Sequence, residues 1–137
     1  MRIFRRCSLN IGIRCIVEED ADIQAMQSAL LETGDVAIGI SHSGTNKGVL
    51  ECLKNAKANG AVTIGLTTYG KSPLQKMCDH VLMTSTKETV FKSESVTARI
   101  AQLAVIDSLV AVISFMDYDS SYDAIQKTRN ATSSHKF

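Results

Sequence analysis

Tryptophan is absent, proline occurs once, and aromatic residues make up only 5% of the 137 residues. A single proline removes the Pro-rich linker classes, and 45% hydrophobic residues remove intrinsic disorder, because the chain holds enough apolar material to fold. Charge of one sign is lacking as well. A formal net charge of +1 offers no field to hold nucleic acid or an acidic lipid surface, so direct nucleic-acid binding by this chain is not expected. Cys7, Cys15, Cys52 and Cys78 form no CxxC pair and no Cys/His cluster, which excludes the common zinc spacings and a disulfide framework. Reduced thiols of a cytoplasmic protein are the plainer reading. No GxGxxG occurs either, so the dinucleotide fingerprint is missing, and neither a metal nor a cofactor is expected.

Long apolar runs are scarce. The start, "MRIFRRC", is basic, but no apolar stretch with a small-residue cleavage site follows it. The most apolar segment, "IAQLAVIDSLVAVISF", falls short of the roughly 20 residues that span a bilayer, and Asp107 interrupts it. These features point to a soluble chain with no membrane partner. The length of 137 residues suits one domain, with a core at residues 11–115 and a polar tail at 116–137 that has room for a short helix at 122–129.

What is present is alternation. "IRCIV", "DVAIGI", "AVTIGLTTY" and "HVLMTST" are short apolar runs of the kind buried on both faces of a sheet. Helical patterns lie between them. "ADIQAMQSALLETG" sets Ile23, Met26, Ala29 and Leu30 on one face and stops at Gly34, a C-cap candidate. "NKGVLECLKNAKANG" does the same with Val49, Leu50, Leu53 and Ala56 and stops at Gly60, and Ser72 before Pro73 predicts a short capped helix. A longer helix in "SVTARIAQLAVIDSLVAVISF" can turn Ile100, Leu103, Ala104, Ile106 and Val110 inward. Strands alternating with helices through short connections predict an α/β fold with a parallel sheet.

The strand ends share a chemistry. "SHSGTN", "TTYGKS" and "TSTKETVFKSES" follow successive strands, so hydroxyl side chains collect on the sheet edge where ligands of such folds bind. Gly44 lets backbone approach a ligand, and the N–H groups that open the helix near Thr45 and Lys47 face it with the positive end of a dipole, as a phosphate requires. The remaining hydroxyls suit a polyol. A single such loop is more simply a helix cap; three on one edge favour a ligand.

The stretch "ISHSGTNKGVLECLKNAKANGAVTIGLTTYGKSPLQKMCDHVLMT" resembles the SIS (sugar isomerase) domain, with its S-x-S-G-x-T signature after a strand, then "IGLT" and "SPL". The tail "ETVFKSESVTARIAQLAVIDSL" is similar to the sugar-phosphate-sensing RpiR-type regulators, where such a domain follows a helix-turn-helix domain. The resemblance covers residues 11–115 and implies a flavodoxin-like three-layer α/β/α sandwich that binds a phosphosugar. By position it assigns Ser41, Ser43 and Gly44 to the phosphate, with Thr45 and Asn46 in the same loop and Thr84, Ser85 and Thr86 on the neighbouring strand end. Glu88 matches the glutamate that faces the sugar, and Ser93 lies in the loop to the last helix. Two departures stand out. Asn46 replaces the threonine of the signature, and the family's first strand with its glycine-rich loop would precede residue 1, as in an N-terminally shortened form. That strand is central in a flavodoxin-like order, so residues 13–17 would need another neighbour.

Other residues have two readings each. His42 can orient a ligand or point away; Lys47 can reach a phosphate or stand solvated. His80 reads as structural, His135 sits in the tail, and Asp107, with no basic residue three or four positions away, reads as structural or interfacial. "VEEDAD" resembles the acidic pair of a phosphoacceptor receiver, but Ser41 stands where the aspartate nucleophile belongs. An aldose-ketose isomerase needs an acid and a base, for which Glu88 with His42 or His80 would serve. A sensor needs only different affinities in two conformations, and no catalytic residue. The regulator-like tail favours the sensor, a ligand-binding module that self-associates as a homodimer or higher oligomer through Leu103, Ile106, Val110 and Ile113 of the last helix.

Overall fold

The structure, a computed structural model, describes residues 2–86 and 94–133. Its elements run α1 (Arg2–Asn10), α2 (Ala21–Ala29), β1 (Val36–Ile40), α3 (Lys47–Ala58), β2 (Val62–Thr68), α4 (Pro73–Met77), β3 (His80–Thr84), α5 (Glu94–Met116) and α6 (Tyr118–Ser133). They pack as two compact units: Glu18–Gln102, which holds the sheet, and the two ends of the chain up to Val17 and from Leu103 onward.

In the first unit the strands form a parallel sheet in the order β1-β2-β3. Gly39 pairs with Gly65, so both face the same way. A Cβ on Gly39 would overlap Leu53 of α3, and one on Gly65 would overlap Leu74 of α4. Two glycines therefore let both helices settle onto one face of the sheet at close range. Leu53 and Ala56 are buried there as the sequence pattern predicts, Leu74 is buried beside them, and Leu66, which points to the opposite face, is only 1% exposed. β2 is thus buried on both faces at its centre, as a parallel sheet demands, while Val62 at its start is 40% exposed. Ser72 caps α4 by accepting the Gln75 N–H at 3.4 Å, with Pro73 at the first helical position.

Three expectations are corrected in this part of the chain. Residues 13–17 form neither helix nor strand, so among the described residues the sheet has three strands rather than four. The Ile13 N–H is instead spent on the Ser8 carbonyl at 2.9 Å, closing the end of α1 beside Gly12 at φ +85°. Second, the stripe on α2 is open: Ile23, Met26 and Leu30 are 41, 65 and 78% exposed. α2 packs beside α3 through buried Ser28, tied by Asn59 Nδ2 donating to the Ala29 carbonyl at 3.0 Å. Among the described residues the sheet stops at β1, and no further strand is there to bury the stripe. Third, α2 ends at Ala29 with Leu30 as its cap; Gly34, at φ +102°, serves the turn into β1.

In the second unit α1 packs on α6, and Gly12 allows close approach to Ala124. α6 spans Tyr118–Ser133, well beyond the short helix expected at 122–129. Asp117 accounts for its start, accepting the Ser120 N–H at 3.4 Å on its side chain and the Ser121 N–H at 3.0 Å on its carbonyl. The apolar run in α5 is also longer than expected. Val96–Met116 has a mean hydropathy of 1.8 in its most apolar window and is long enough, by length and composition only, to cross a membrane. Within it Ile106 and Val110 are buried and Ile100 is 63% exposed, and only 17% of that window is buried.

Candidate functional site

β1 delivers the chain to Ser41, and the loop 41–46 then lies across the end of β2 before α3 begins. The loop is held by its own backbone. The Ser41 N–H donates to the Leu66 carbonyl at 3.0 Å, the His42 carbonyl accepts the Thr68 N–H at 3.0 Å, and the Gly44 carbonyl accepts the Leu74 N–H at 3.2 Å. Ser41 is buried, and its Oγ accepts the Gly44 N–H at 3.1 Å. Gly44 itself sits at φ +66°, where a side chain is strained, and a Cβ there would overlap Ser72 Oγ and come within 2.9 Å of Thr67 Oγ1. Only glycine fits this bend.

What faces solvent is different in kind. Ser43 Oγ and Thr45 Oγ1 share a hydrogen bond of 2.8 Å on the exposed side of the loop. Asn46 caps α3, its Oδ1 accepting the Val49 N–H at 3.1 Å, while its carbonyl accepts the Leu50 N–H at 3.0 Å. The Lys47 and Gly48 N–H groups precede the first intrahelical bond and point out of the helix end. No acidic residue stands in the first turn of α3, and exposed Lys47 adds a positive charge. The local field favours an anion.

β3 ends on the other side of β2, about 10 Å from β1 by strand spacing. Thr84 is buried, and its hydroxyl donates to the Thr67 carbonyl at 3.4 Å; its own carbonyl accepts the Tyr69 N–H at 2.7 Å and the Thr68 hydroxyl at 3.3 Å. Thr84 thus ties strands together, whereas Ser85 is exposed and Thr86 half-buried in the loop that follows. Glu88 and Ser93 lie outside the described residues. His42 is half-buried between the two serines, and His80 is exposed at the far end of β3. Asp107 is exposed on α5. Sequence reasoning counted "TTYGKS" among the hydroxyl-rich ends but missed Thr67, which is wholly buried and donates to the His42 carbonyl at 3.0 Å. Its place at the last inward position of β2 was the available signal.

The SIS domain model matches residues 12–112. The chain belongs to the SIS domain family. It is 39% identical over 126 residues to an uncharacterised HTH-type transcriptional regulator of Caldanaerobacter subterraneus subsp. tengcongensis, covering 92% of this chain and 45% of that protein. It is 33% identical over 120 residues to the HTH-type transcriptional regulator RpiR of Escherichia coli K12, covering 88% and 40%. This SIS chain spans less than half the length of these curated relatives. Among solved structures, the Vibrio vulnificus NanR protein complexed with ManNAc-6P matches with a TM-score of 0.88 at 23% identity, covering 98% of this chain and 51% of NanR. The sugar isomerase domain of an RpiR transcription factor from Sphaerobacter thermophilus matches with a TM-score of 0.77 at 21% identity, covering 94% and 70%. At these identities the likeness establishes the SIS fold, and with it the α/β class and parallel sheet expected from the sequence.

Proposed function

We propose that this SIS domain binds a phosphosugar and serves as the effector domain of a carbohydrate-responsive bacterial transcriptional regulator in the cytoplasm. The observation that carries the reading is the loop at Gly44: a left-handed glycine pressed against Ser72 opens the N-terminus of α3, with Lys47 and no acid in its first turn. Ser43, Gly44, Thr45 and the Lys47 and Gly48 N–H groups are the phosphate side of this site. Ser41 supports it from beneath; Asn46 caps the helix and keeps its amide Nδ2 for the ligand. Ser85, Thr86, Glu88 and Ser93 are the sugar side, with Thr84 bracing the strand end. NanR, whose fold this chain shares, was solved with a phosphorylated amino sugar, which supports the substrate class.

Signalling would follow from unequal affinity of two conformations for the ligand. A homodimer or higher oligomer is part of the proposal, and its surface is corrected by burial. Ile106 and Val110 are committed to the core, so the exposed Val112, Phe115 and Met116 of α5 replace them. Sedimentation as a monomer at micromolar concentration would remove this part. The ligand itself is tested by a thermal-shift screen of hexose, pentose, amino-sugar and N-acetylmuramic-acid phosphates beside the unphosphorylated sugars, repeated with Ser43→Ala. A phosphate-dependent rise in Tm that Ser43→Ala abolishes, without turnover, is expected. Isomerisation of a hit that Glu88→Gln abolishes would replace the sensor by an aldose-ketose isomerase.

A further inference from the structure

The hydroxyl edge divides into side chains that face solvent and side chains spent inside the protein. Thr67 belongs to the second group, and its position is unusual among them. It is fully buried, its Oγ1 donates to the His42 carbonyl at 3.0 Å, and it flanks Gly44. The same carbonyl takes the Thr68 N–H at 3.0 Å, so β2 fixes the His42–Ser43 peptide with two donors from adjacent residues. A carbonyl held by two donors cannot rotate without losing both. The N–H of that same peptide unit belongs to Ser43, whose hydroxyl stands on the open side of the loop.

The other end of Thr67 reaches β3. Its carbonyl accepts the Thr84 hydroxyl at 3.4 Å, and Thr84 precedes the Ser85–Thr86 loop. One residue of the central strand therefore touches the Gly44 loop and the strand residue that leads into the Ser85–Thr86 loop, while lying wholly below the surface. Resting on the phosphosugar reading, we infer that Thr67 is a positioning residue, which sets the orientation of the His42–Ser43 peptide and so the affinity of the loop for a phosphate. It acts through hydrogen-bond geometry, because its side chain is not accessible to the ligand.

The test compares Thr67→Val, which keeps the shape and removes the donor, with Thr67→Ser, which keeps the donor. N-acetylmannosamine 6-phosphate and inorganic phosphate are the probes, titrated well below the melting temperature of each variant so that unfolding does not enter. Affinity is expected to fall about three- to tenfold in Thr67→Val, the range set by roughly one hydrogen bond, and to stay within about twofold of wild type in Thr67→Ser. Amide hydrogen exchange reads the ligand-free protein. The Thr68 and Gly44 N–H groups are expected to exchange faster in Thr67→Val, while Leu53 in the core of α3 does not change.

Equal affinity in Thr67→Val and wild type would overturn the inference, as would a Thr67→Ser variant that loses binding. If Thr67→Val does not fold, Thr67→Cys, a side chain of similar size with only a weak donor, takes its place, and affinity equal to that of Thr67→Ser would overturn the inference. A wild-type protein that binds neither probe would count against the phosphosugar reading; exchange at Thr68 and Gly44 then decides the positioning role separately, and unchanged exchange would end it.

Discussion

Lys57 Nζ lies 2.7 Å from Asp79 Oδ1, joining the last turn of α3 to the residue before β3. The other carboxylate oxygen accepts the Thr63 N–H at 2.9 Å and the Thr63 hydroxyl at 2.8 Å, and the Asp79 N–H returns a bond to Thr63 Oγ1 at 3.1 Å. Lys57 also donates to the Met77 carbonyl at 2.8 Å. The cluster lies at the opposite end of the sheet from the Gly44 loop, so it can be altered without touching the candidate site.

Its pH dependence has a definite sign. The Lys57 ammonium, then the Thr63 N–H and hydroxyl, hold the Asp79 carboxyl well below the usual carboxylate range. A carboxyl whose folded value is depressed contributes its stability above the unfolded value of about 4 and loses it as pH falls from there toward the folded value. Asp79→Asn is expected to lower Tm at pH 7, with the gap to wild type narrowing steadily below about pH 4. Melting curves from pH 7 to pH 2 check this. A gap that stays constant with pH would mean that the ionised carboxylate has no stabilising role.

Burial separates two leucines that the sequence treats alike. Leu53 is 2% exposed beneath α3, and Leu30 is 78% exposed at the end of α2. Leu53→Ala is expected to cost about 2–5 kcal/mol, from lost transfer energy plus the cavity left behind. Leu30→Ala should stay within about 0.5 kcal/mol. Urea titration of both variants distinguishes them. A cost of about 2 kcal/mol at Leu30 would mean that something covers that face of α2 in solution.

The same contrast explains what was legible beforehand. The α3 stripe ending in Leu53 and Ala56, the Ser72–Pro73 start of α4 and the three apolar strands all emerged from local pattern, because the element each packs against is present: β1 and β3 flank β2, and Leu53 lies on Gly39. The α2 stripe and residues 13–17 carry equally clear patterns but depend on a strand beside β1, and among the described residues there is none. Pattern reports which face can be buried; only topology decides whether something lies against it. At the candidate site the composition of the loop pointed to an anion cradle, yet the roles of Thr84 and Thr67 escaped. A hydroxyl that binds a ligand and one that braces a strand end are the same residue type, separated only by hydrogen-bond partners.

Gly44 couples backbone conformation to packing. Gly44→Ala places a methyl group at φ +66°, in the region that costs an L-residue about 1–2 kcal/mol, and drives it into Ser72 Oγ. Ser72 cannot move cheaply, since it caps α4. We expect a loss of about 2 kcal/mol or more in stability by chemical denaturation, and no melting shift with any sugar phosphate. A stable variant that still binds would place the anion site elsewhere.

Asn46 allows capping and ligand binding to be pulled apart. Its Oδ1 holds the Val49 N–H, so Asn46→Ala should cost about 1 kcal/mol through the lost cap alone. Asn46→Asp keeps the capping oxygen and places a negative charge at the positive end of α3, which should leave stability unchanged or raise it by about 0.3–1 kcal/mol. The same charge repels a phosphate bound at the neighbouring Lys47 and Gly48 N–H groups. A variant at least as stable as wild type whose affinity for sugar phosphates falls about tenfold, roughly 1.4 kcal/mol, is the expected result, read by melting and by titration on one preparation. Unchanged affinity in Asn46→Asp would mean that the anion does not sit at the start of α3, and that the hydroxyl loop there serves the helix alone.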